Sequence, residues 1–234
     1  MTRIWAHRGA SAYAPENTLA AFALAREMGA HGVELDVQMT ADGRIVVIHD
    51  ETLDRTTDGT GPVGWHTLDE LKALDASAGM IPFSGEKIPT LDEVFELLDG
   101  SGMVVNVELK NSVVAYPGLE EAVLALVPAT GVVLSTFNHL SLAALVGLGA
   151  CDVGMLFGDV LFEPWRYGAG IGVQALHPPF AYLDAVPDTV DQCHDAGLAV
   201  NAWTLNDTAD LRRLIDLGID AAITNYPDRA LALL

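Results

Sequence analysis

Gly32-Val33-Glu34-Leu35-Asp36-Val37 is the stretch on which the fold turns. Its apolar residues are spaced as in a strand covered on both faces. Glu34 and Asp36, two residues apart, project to the same side of that strand. Burying such groups without partners is costly, so the run makes a poor core strand and a good rim for a site that something else completes.

The same pattern recurs outward along the chain. Arg3–His7 ends in His7-Arg8, Met103–Leu109 carries Glu108 and runs into Lys110, and a further apolar run closes on His49-Asp50. More strand-like runs lie at Val132–Thr136, Asp152–Phe157, Val173–Leu176, Leu198–Trp203 and Ala221–Thr224. Helical patterns separate them. Asn17 or Thr18 can cap a helix carrying Leu19, Phe22 and Ala23, and Thr90-Leu-Asp-Glu93 is a capping box opening a helix through Leu98. Later helices are predicted at Leu119–Leu126, Leu140–Leu148, Pro187–Ala196, Thr208–Leu217 and Asp228–Leu234, while Pro164 and the glycines from Gly168 to Gly172 crowd the one between. Eight strands alternating with about eight helices predict an α/β chain folded as a (β/α)8 TIM barrel. A doubly wound open sheet is the alternative. The barrel is preferred because polar residues end strands all round the chain, at His7, Asp36, Lys110, Thr136, His177, Trp203 and Asn225. An open sheet gathers them at one switch point.

Forty residues separate His49 from the Thr90 cap, far more than a usual βα link. A turn-rich run from Asp54 to Pro62 and a second capping box, Thr67-Leu-Asp-Glu70, predict an inserted lobe at about 51–89 after the second strand region. It carries one short helix beside the barrel mouth, within a single domain spanning residues 1–234.

Bulk composition narrows the partners. Twelve basic residues face 32 acidic ones, a formal charge of −20. That argues against nucleic acid and against stable membrane association. No stretch reaches transmembrane length, and Arg3 already enters a strand-like run, so a cytoplasmic protein is expected. Cys151 and Cys193 are expected to be buried free thiols.

The strand ends carry the chemistry. On adjacent barrel strands Glu34, Asp36 and Glu108 come together, and two carboxylates about 5 Å apart repel by roughly 3 kcal/mol at an effective dielectric of 20. Such a cluster binds protons or recruits a cation, and an all-oxygen set suits Ca2+ or Mg2+. Ion pairing with Arg8 and Lys110 is the other reading of the same carboxylates. His7 and His49 are the acid–base candidates, since imidazole titrates near neutrality. Arg8 and Lys110 can neutralise an anionic substrate. Trp203 can pack against its carbon backbone or cap the core. His31, His66, His139 and His194 lack this placement, and His177, before Pro178-Pro179, reads as structural.

Taken together, His7-Arg8-Gly9, Pro15-Glu16-Asn17-Thr18, Glu34-Leu-Asp36, Thr40-Ala-Asp42-Gly43, Val47-Ile-His49-Asp50, Leu53-Asp-Arg55-Thr56, Glu108-Leu-Lys110 and Trp203-Thr-Leu-Asn206 resemble the glycerophosphodiester phosphodiesterase family. The resemblance implies a TIM barrel with a small insertion after the second strand. It also implies metal-dependent hydrolysis of glycerophosphodiesters, small-molecule substrates, to glycerol 3-phosphate and an alcohol, with one divalent cation. By motif position it gives His7 and His49 the acid–base roles, Glu34, Asp36 and Glu108 the metal, Arg8 and Lys110 the phosphate, and Trp203 the glycerol side. Asn225 stands where members often carry Asp. Two alternatives accompany this reading. One is phospholipase D-like hydrolysis of lysophospholipids on the same scaffold, ranked lower because the sequence has no evident apolar or basic anchor. The other is a non-catalytic barrel that binds a polyol phosphate.

Overall fold

The computed structural model describes residues 1–149 and 151–234. Eight parallel strands close on themselves: β1 (Arg3–His7), β2 (Gly32–Met39), β4 (Val104–Leu109), β5 (Val132–Thr136), β6 (Asp152–Leu156), β7 (Ala175–His177), β8 (Ala199–Ala202) and β9 (Ala221–Thr224). Each pairs with its neighbours round the ring, and β1 joins both β2 and β9, which makes the sheet a TIM barrel and removes the open-sheet alternative. A ninth strand, β3 (Ile45–Val47), lies outside the ring, antiparallel to the end of β2. The sequence reading has no counterpart for β3 as a hairpin partner. The apolar run before His49 is therefore a hairpin edge and not a barrel strand.

The strands are buried on both faces, which is why they read as continuous apolar runs. Their outer face packs under the helices in one large cluster that includes Ile4, Val33, Leu35, Val107, Leu134 and Leu176. The helices start where the caps predict. Thr18 accepts from the Ala21 amide to open α1 (Leu19–Glu27), and Asn17 serves elsewhere. Thr67 and Thr90 form complete capping boxes on α2 (Leu68–Ala73) and α3 (Leu91–Leu98). The remaining helices are α4 (Leu119–Leu124), α5 (His139–Leu148), α6 (Pro164–Ile171), α7 (Phe180–Ala185), α8 (Thr189–Asp195), α9 (Thr208–Leu217) and α10 (Pro227–Leu231). The crowded segment does form α6, with Pro164 in its first turn and Gly172 as a left-handed C-cap. The short α7 follows Pro178-Pro179 and was not apparent from sequence pattern. Val173 and Gln174 precede β7 proper, and His177 belongs to it.

Between His49 and Thr90 the chain folds over a small core of its own, in which Leu53, Val63, Leu71 and Ile88 pack on Val46 and Ile48 beside the barrel. Among the described residues no helix is long and apolar enough to cross a membrane.

Candidate active site

A closed barrel delivers the C-terminal ends of its strands to one rim, and there the polar strand ends meet. A cavity of about 240 Å³ opens at this rim, lined by His7, Arg8, Glu34, His49, Asn106, Glu108, Lys110, Phe137, His177 and Trp203 among others. All eight residues singled out from the sequence gather at this mouth, seven of them on the wall, and Asp36 touches Arg8 and Lys110.

Glu34 and Asp36 sit on β2, and β4 brings Asn106 and Glu108 opposite them in register. One oxygen from each of Glu34, Asp36 and Glu108 lies within 4.8 Å of the others, and all three residues are buried. Two fixed cations face these three carboxylates. Arg8 Nε lies 3.3 Å from Asp36 Oδ2, and Lys110 Nζ lies 2.8 Å from Glu108 Oε1 and 3.8 Å from Asp36 Oδ1. The ion-pair reading and the cluster reading thus describe the same residues. The balance of charge is uneven. Burial opposes ionisation of Asp36, but Arg8, His49, Lys110 and the Asn17 amide outweigh it and hold that carboxyl below its usual range. Burial and the neighbouring Asp36 and Glu108 charges push Glu34 well up, and burial and Asp36 push Glu108 up to about 7. The cluster therefore holds protons unless another positive charge fills it. Asp36 Oδ1 is buried without a hydrogen-bond partner, and an all-carboxylate donor set around it fits a hard divalent cation.

Local sequence explains how the site is held. After β1 the chain turns sharply through Arg8 and Gly9, both left-handed at φ 56° and 80°. A side chain on Gly9 would meet the Ala21 backbone at 2.6 Å, so this position demands glycine. The turn aims the Arg8 amide at Glu34 Oε2, 3.0 Å away. Asn17, also left-handed, donates to Asp36 Oδ2 at 2.9 Å, while Glu16 accepts from Arg8 Nη1 at 2.8 Å. The Pro15–Thr18 motif is thus a brace, with one residue each for the cation, the carboxylate and the helix cap.

The two histidines are held differently. His7 Nδ1 lies 2.6 Å from Asn225 Oδ1. An amide oxygen only accepts, so the ring proton sits on Nδ1 and Nε2, 3.9 Å from Glu34 Oε2, keeps its lone pair. Burial, with Arg8 adding to it, lowers the His7 pKa to about 4. His49 Nδ1 lies 2.7 Å from Asp50 Oδ1. Asp50 is in turn gripped by Arg55 and held well below the usual carboxylate range, chiefly by that hydrogen bond. Arg55 also forks onto Glu16 through two bonds of 2.7 and 2.8 Å.

Trp203 donates from Nε1 to the His177 carbonyl at 2.7 Å, and its ring meets Phe137 edge to face at 5.7 Å, so the two aromatics form an apolar wall opposite the carboxylates. Sequence reasoning missed the orienting partners Asn17, Asp50, Arg55 and Asn225 as contacts, although each falls within or beside a quoted motif. Of the other histidines, His177 also lines this cavity, while the rest lie away from it. His31 accepts from the Ile4 amide, and His194 pairs with Asp220.

Comparison with known proteins agrees with this geometry. The pattern of the Glycerophosphoryl diester phosphodiesterase family matches residues 7–229. A glycerophosphodiester phosphodiesterase of Caldanaerobacter subterraneus is 42% identical over 238 residues, which is 99% of this chain and 97% of that one. A Bacillus subtilis enzyme of the same name is 34% identical over 95% of this chain and 83% of its own. Among solved structures, an Oleispira antarctica phosphodiesterase in complex with the product sn-glycerol-3-phosphate superposes with a TM-score of 0.89. It is 33% identical and covers 100% of this chain and 96% of its own.

Proposed function

The chain belongs to the glycerophosphoryl diester phosphodiesterase family, and on that premise we propose that it cleaves glycerophosphodiesters to glycerol 3-phosphate and an alcohol by proton transfer between two histidines, at a site completed by one divalent cation. The observation that carries the proposal is the meeting, round one cavity, of three buried carboxylates, two fixed cations and two imidazoles with oppositely disposed partners.

Arg8 and Lys110 draw the phosphodiester into an otherwise acidic molecule and offset the charge that builds on its oxygens. Glu34, Asp36 and Glu108 would hold the ion, Ca2+ or Mg2+ by donor chemistry, which when bound supplies Lewis-acid polarisation of a phosphoryl oxygen. His7, neutral with a free Nε2, takes the proton of the attacking hydroxyl. His49, held through Nδ1 by the Asp50 carboxylate, gives a proton to the departing alkoxide. The bond from phosphorus to the leaving oxygen breaks as the bond to the attacking oxygen forms. The attacking hydroxyl is water or the glycerol hydroxyl next to the phosphate. In the second case a cyclic phosphate forms and a water then opens it. Trp203 packs on the glycerol carbons. Two unpaired cysteines, Cys151 and Cys193, suit a reducing compartment such as the cytoplasm.

The test is a panel of glycerophosphodiesters assayed with and without chelator. Release of glycerol 3-phosphate that chelator abolishes and added Ca2+ or Mg2+ restores supports the proposal. Full turnover after chelation removes the metal from it.

One observation favours lysophospholipids as a second substrate class. Leu140, Val160 and Phe162 are 85, 71 and 90% exposed, and they stand on the segments following β5 and β6, at the cavity end of the barrel. Exposed apolar side chains on these segments are what an acyl chain would require. Comparing turnover of glycerophosphocholine and lysophosphatidylcholine separates the two classes.

A further inference from the structure

Gln38 follows Glu34 and Asp36 along β2 at the same two-residue spacing, so it shares their side of the strand, and it is wholly buried. Here the end of β2 pairs with β3, and Gln38 stands opposite Val46. β3 stops at Val47, and the Ile48 amide makes one further bond, to the Asp36 carbonyl at 3.0 Å. His49 and Asp50 lie beyond that bond, where the chain bends away.

Gln38 supplies there what the ladder does not. Its Nε2 lies 3.3, 3.1 and 2.5 Å from the carbonyl oxygens of Ile48, His49 and Asp50. Carbonyls only accept, so the NH2 end of the amide faces them and shares its two N–H bonds among the three. The oxygen end is held as well. Tyr116 donates its hydroxyl to Gln38 Oε1 at 2.8 Å. Burial and the Glu51 charge push the Tyr116 pKa up to about 12, so that hydroxyl keeps its proton. Gly64, in the inserted segment, makes room for the ring, since a Cβ there would lie 3.0 Å from Tyr116 Cε1. Tyr116 stands on the loop between β4 and α4, which Lys110 begins. One amide therefore joins three parts of the mouth: β2 with its carboxylates, the loop that begins at Lys110, and the bend that presents His49.

A side chain that fixes the backbone of residues 48–50 fixes where the His49 ring stands and where Asp50 meets it. His49 Nδ1 is committed to Asp50, which leaves Nε2 to give the proton. Misplacing such a group by about 1 Å costs on the order of 100-fold in rate. We infer that Gln38, locked by Tyr116, is a positioning residue for the general acid: it holds His49 Nε2 at the leaving oxygen and touches no substrate itself. The inference rests on the phosphodiesterase reading, with His49 as acid, and adds the device that sets the acid in place. As the bond from phosphorus to the leaving oxygen breaks, the proton on Nε2 passes to that oxygen. A choline alkoxide needs that proton to depart, whereas p-nitrophenolate leaves without it.

The experiment compares glycerophosphocholine with the p-nitrophenyl ester of glycerol 3-phosphate, at saturating Ca2+ or Mg2+, in wild type, Gln38→Met, Tyr116→Phe and His49→Ala. Gln38→Met keeps the length of the side chain and loses its donor. It is expected to lower kcat on glycerophosphocholine by about 30-fold with KM within about twofold, and kcat on the p-nitrophenyl ester by less than about threefold. Tyr116→Phe loosens the amide without removing it, and should show the same pattern with a loss of about fivefold on the choline ester. A misfolded fraction lowers both esters equally, so the ratio of the two losses reads position and not folding. Equal losses on both esters in Gln38→Met assign the residue to structure and overturn the inference, as does an unchanged kcat on the choline ester. If Gln38→Met does not fold, Tyr116→Phe decides by the same two criteria. His49→Ala separates this inference from the reading beneath it. Leaving-group dependence in His49→Ala with none in Gln38→Met refutes the positioning role alone. Equal losses on both esters in His49→Ala remove His49 as the acid, and the inference with it. Wild-type enzyme that cleaves neither ester ends the phosphodiesterase reading.

Discussion

A neutral amide on one imidazole and a carboxylate on the other separate the two histidines chemically. His7 leans on Asn225 and His49 on Asp50, at 2.6 and 2.7 Å. On the proposed mechanism His49→Ala removes the proton donor for the leaving group and is expected to lower kcat by about 10²- to 10⁴-fold with unchanged circular dichroism. Near-native turnover at saturating divalent ion would refute the role. Asn225→Asp places a negative charge on the His7 ring and favours its protonated form. The base then stays protonated to higher pH, so the acidic limb of the kcat/KM profile should move upward. A profile that stays in place or moves down contradicts the assignment of His7 as base. Both histidines were legible as residues ending apolar runs. Asn225 was not legible as a partner, because it lies 218 residues from His7 and only the β1–β9 pairing brings them together.

Among the elements, the segment after β3 matters most for function because Arg55 ties it to the mouth. Its guanidinium bonds both oxygens of Glu16, on the β1–α1 loop, and both oxygens of Asp50, the partner of His49. Arg55→Ala frees Asp50 and lets His49 rotate, with an expected loss in kcat/KM of about tenfold. The side chain is half exposed, so denaturant melts should register only about 1 kcal/mol or less. Arg55→Lys should restore little, because an ammonium cannot fork onto two carboxylates at once. A stability loss without an activity loss would make the clamp merely structural. The capping boxes at Thr67 and Thr90 were readable three residues at a time. The hairpin strand β3 was not, since a three-residue run carries no periodicity and acquires its partner only from the end of β2.

For the whole molecule, the acidic cluster couples folding to pH and, on the proposed reading, to a divalent ion. Burial and neighbouring carboxylates raise Glu34 and bring Glu108 from its ordinary 4.5 to about 7. Between those values these carboxyls hold more protons in the folded chain than in the unfolded one, so their contribution to stability is complete below about pH 4.5 and is lost as pH rises through about 7. His7 and His177, whose pKa values burial lowers to about 4 and about 3, act in the opposite sense below about pH 6.5, so thermal melts in chelator should show the wild-type Tm falling relative to that of Glu108→Gln from pH 5 to pH 8. Millimolar Ca2+ or Mg2+ should remove that fall, because the ion replaces the protons and is bound more tightly as they leave. A metal-free Tm difference from Glu108→Gln that stays flat or rises across this interval would refute the coupling.

Local pattern alone determined the alternation of strands and helices and the identities of the eight residues that gather at the mouth, and it favoured a barrel over an open sheet without excluding the sheet. These are properties of nearest neighbours along the chain, where hydrophobic period, caps and charged strand ends are written directly. Closure of the ring decided what those residues do to one another. It placed Asn106 against Glu34, Asn225 against His7 and His177 on the cavity wall, and it shifted proton affinities by burial. Such contacts depend on distances through space, which the order of residues does not contain.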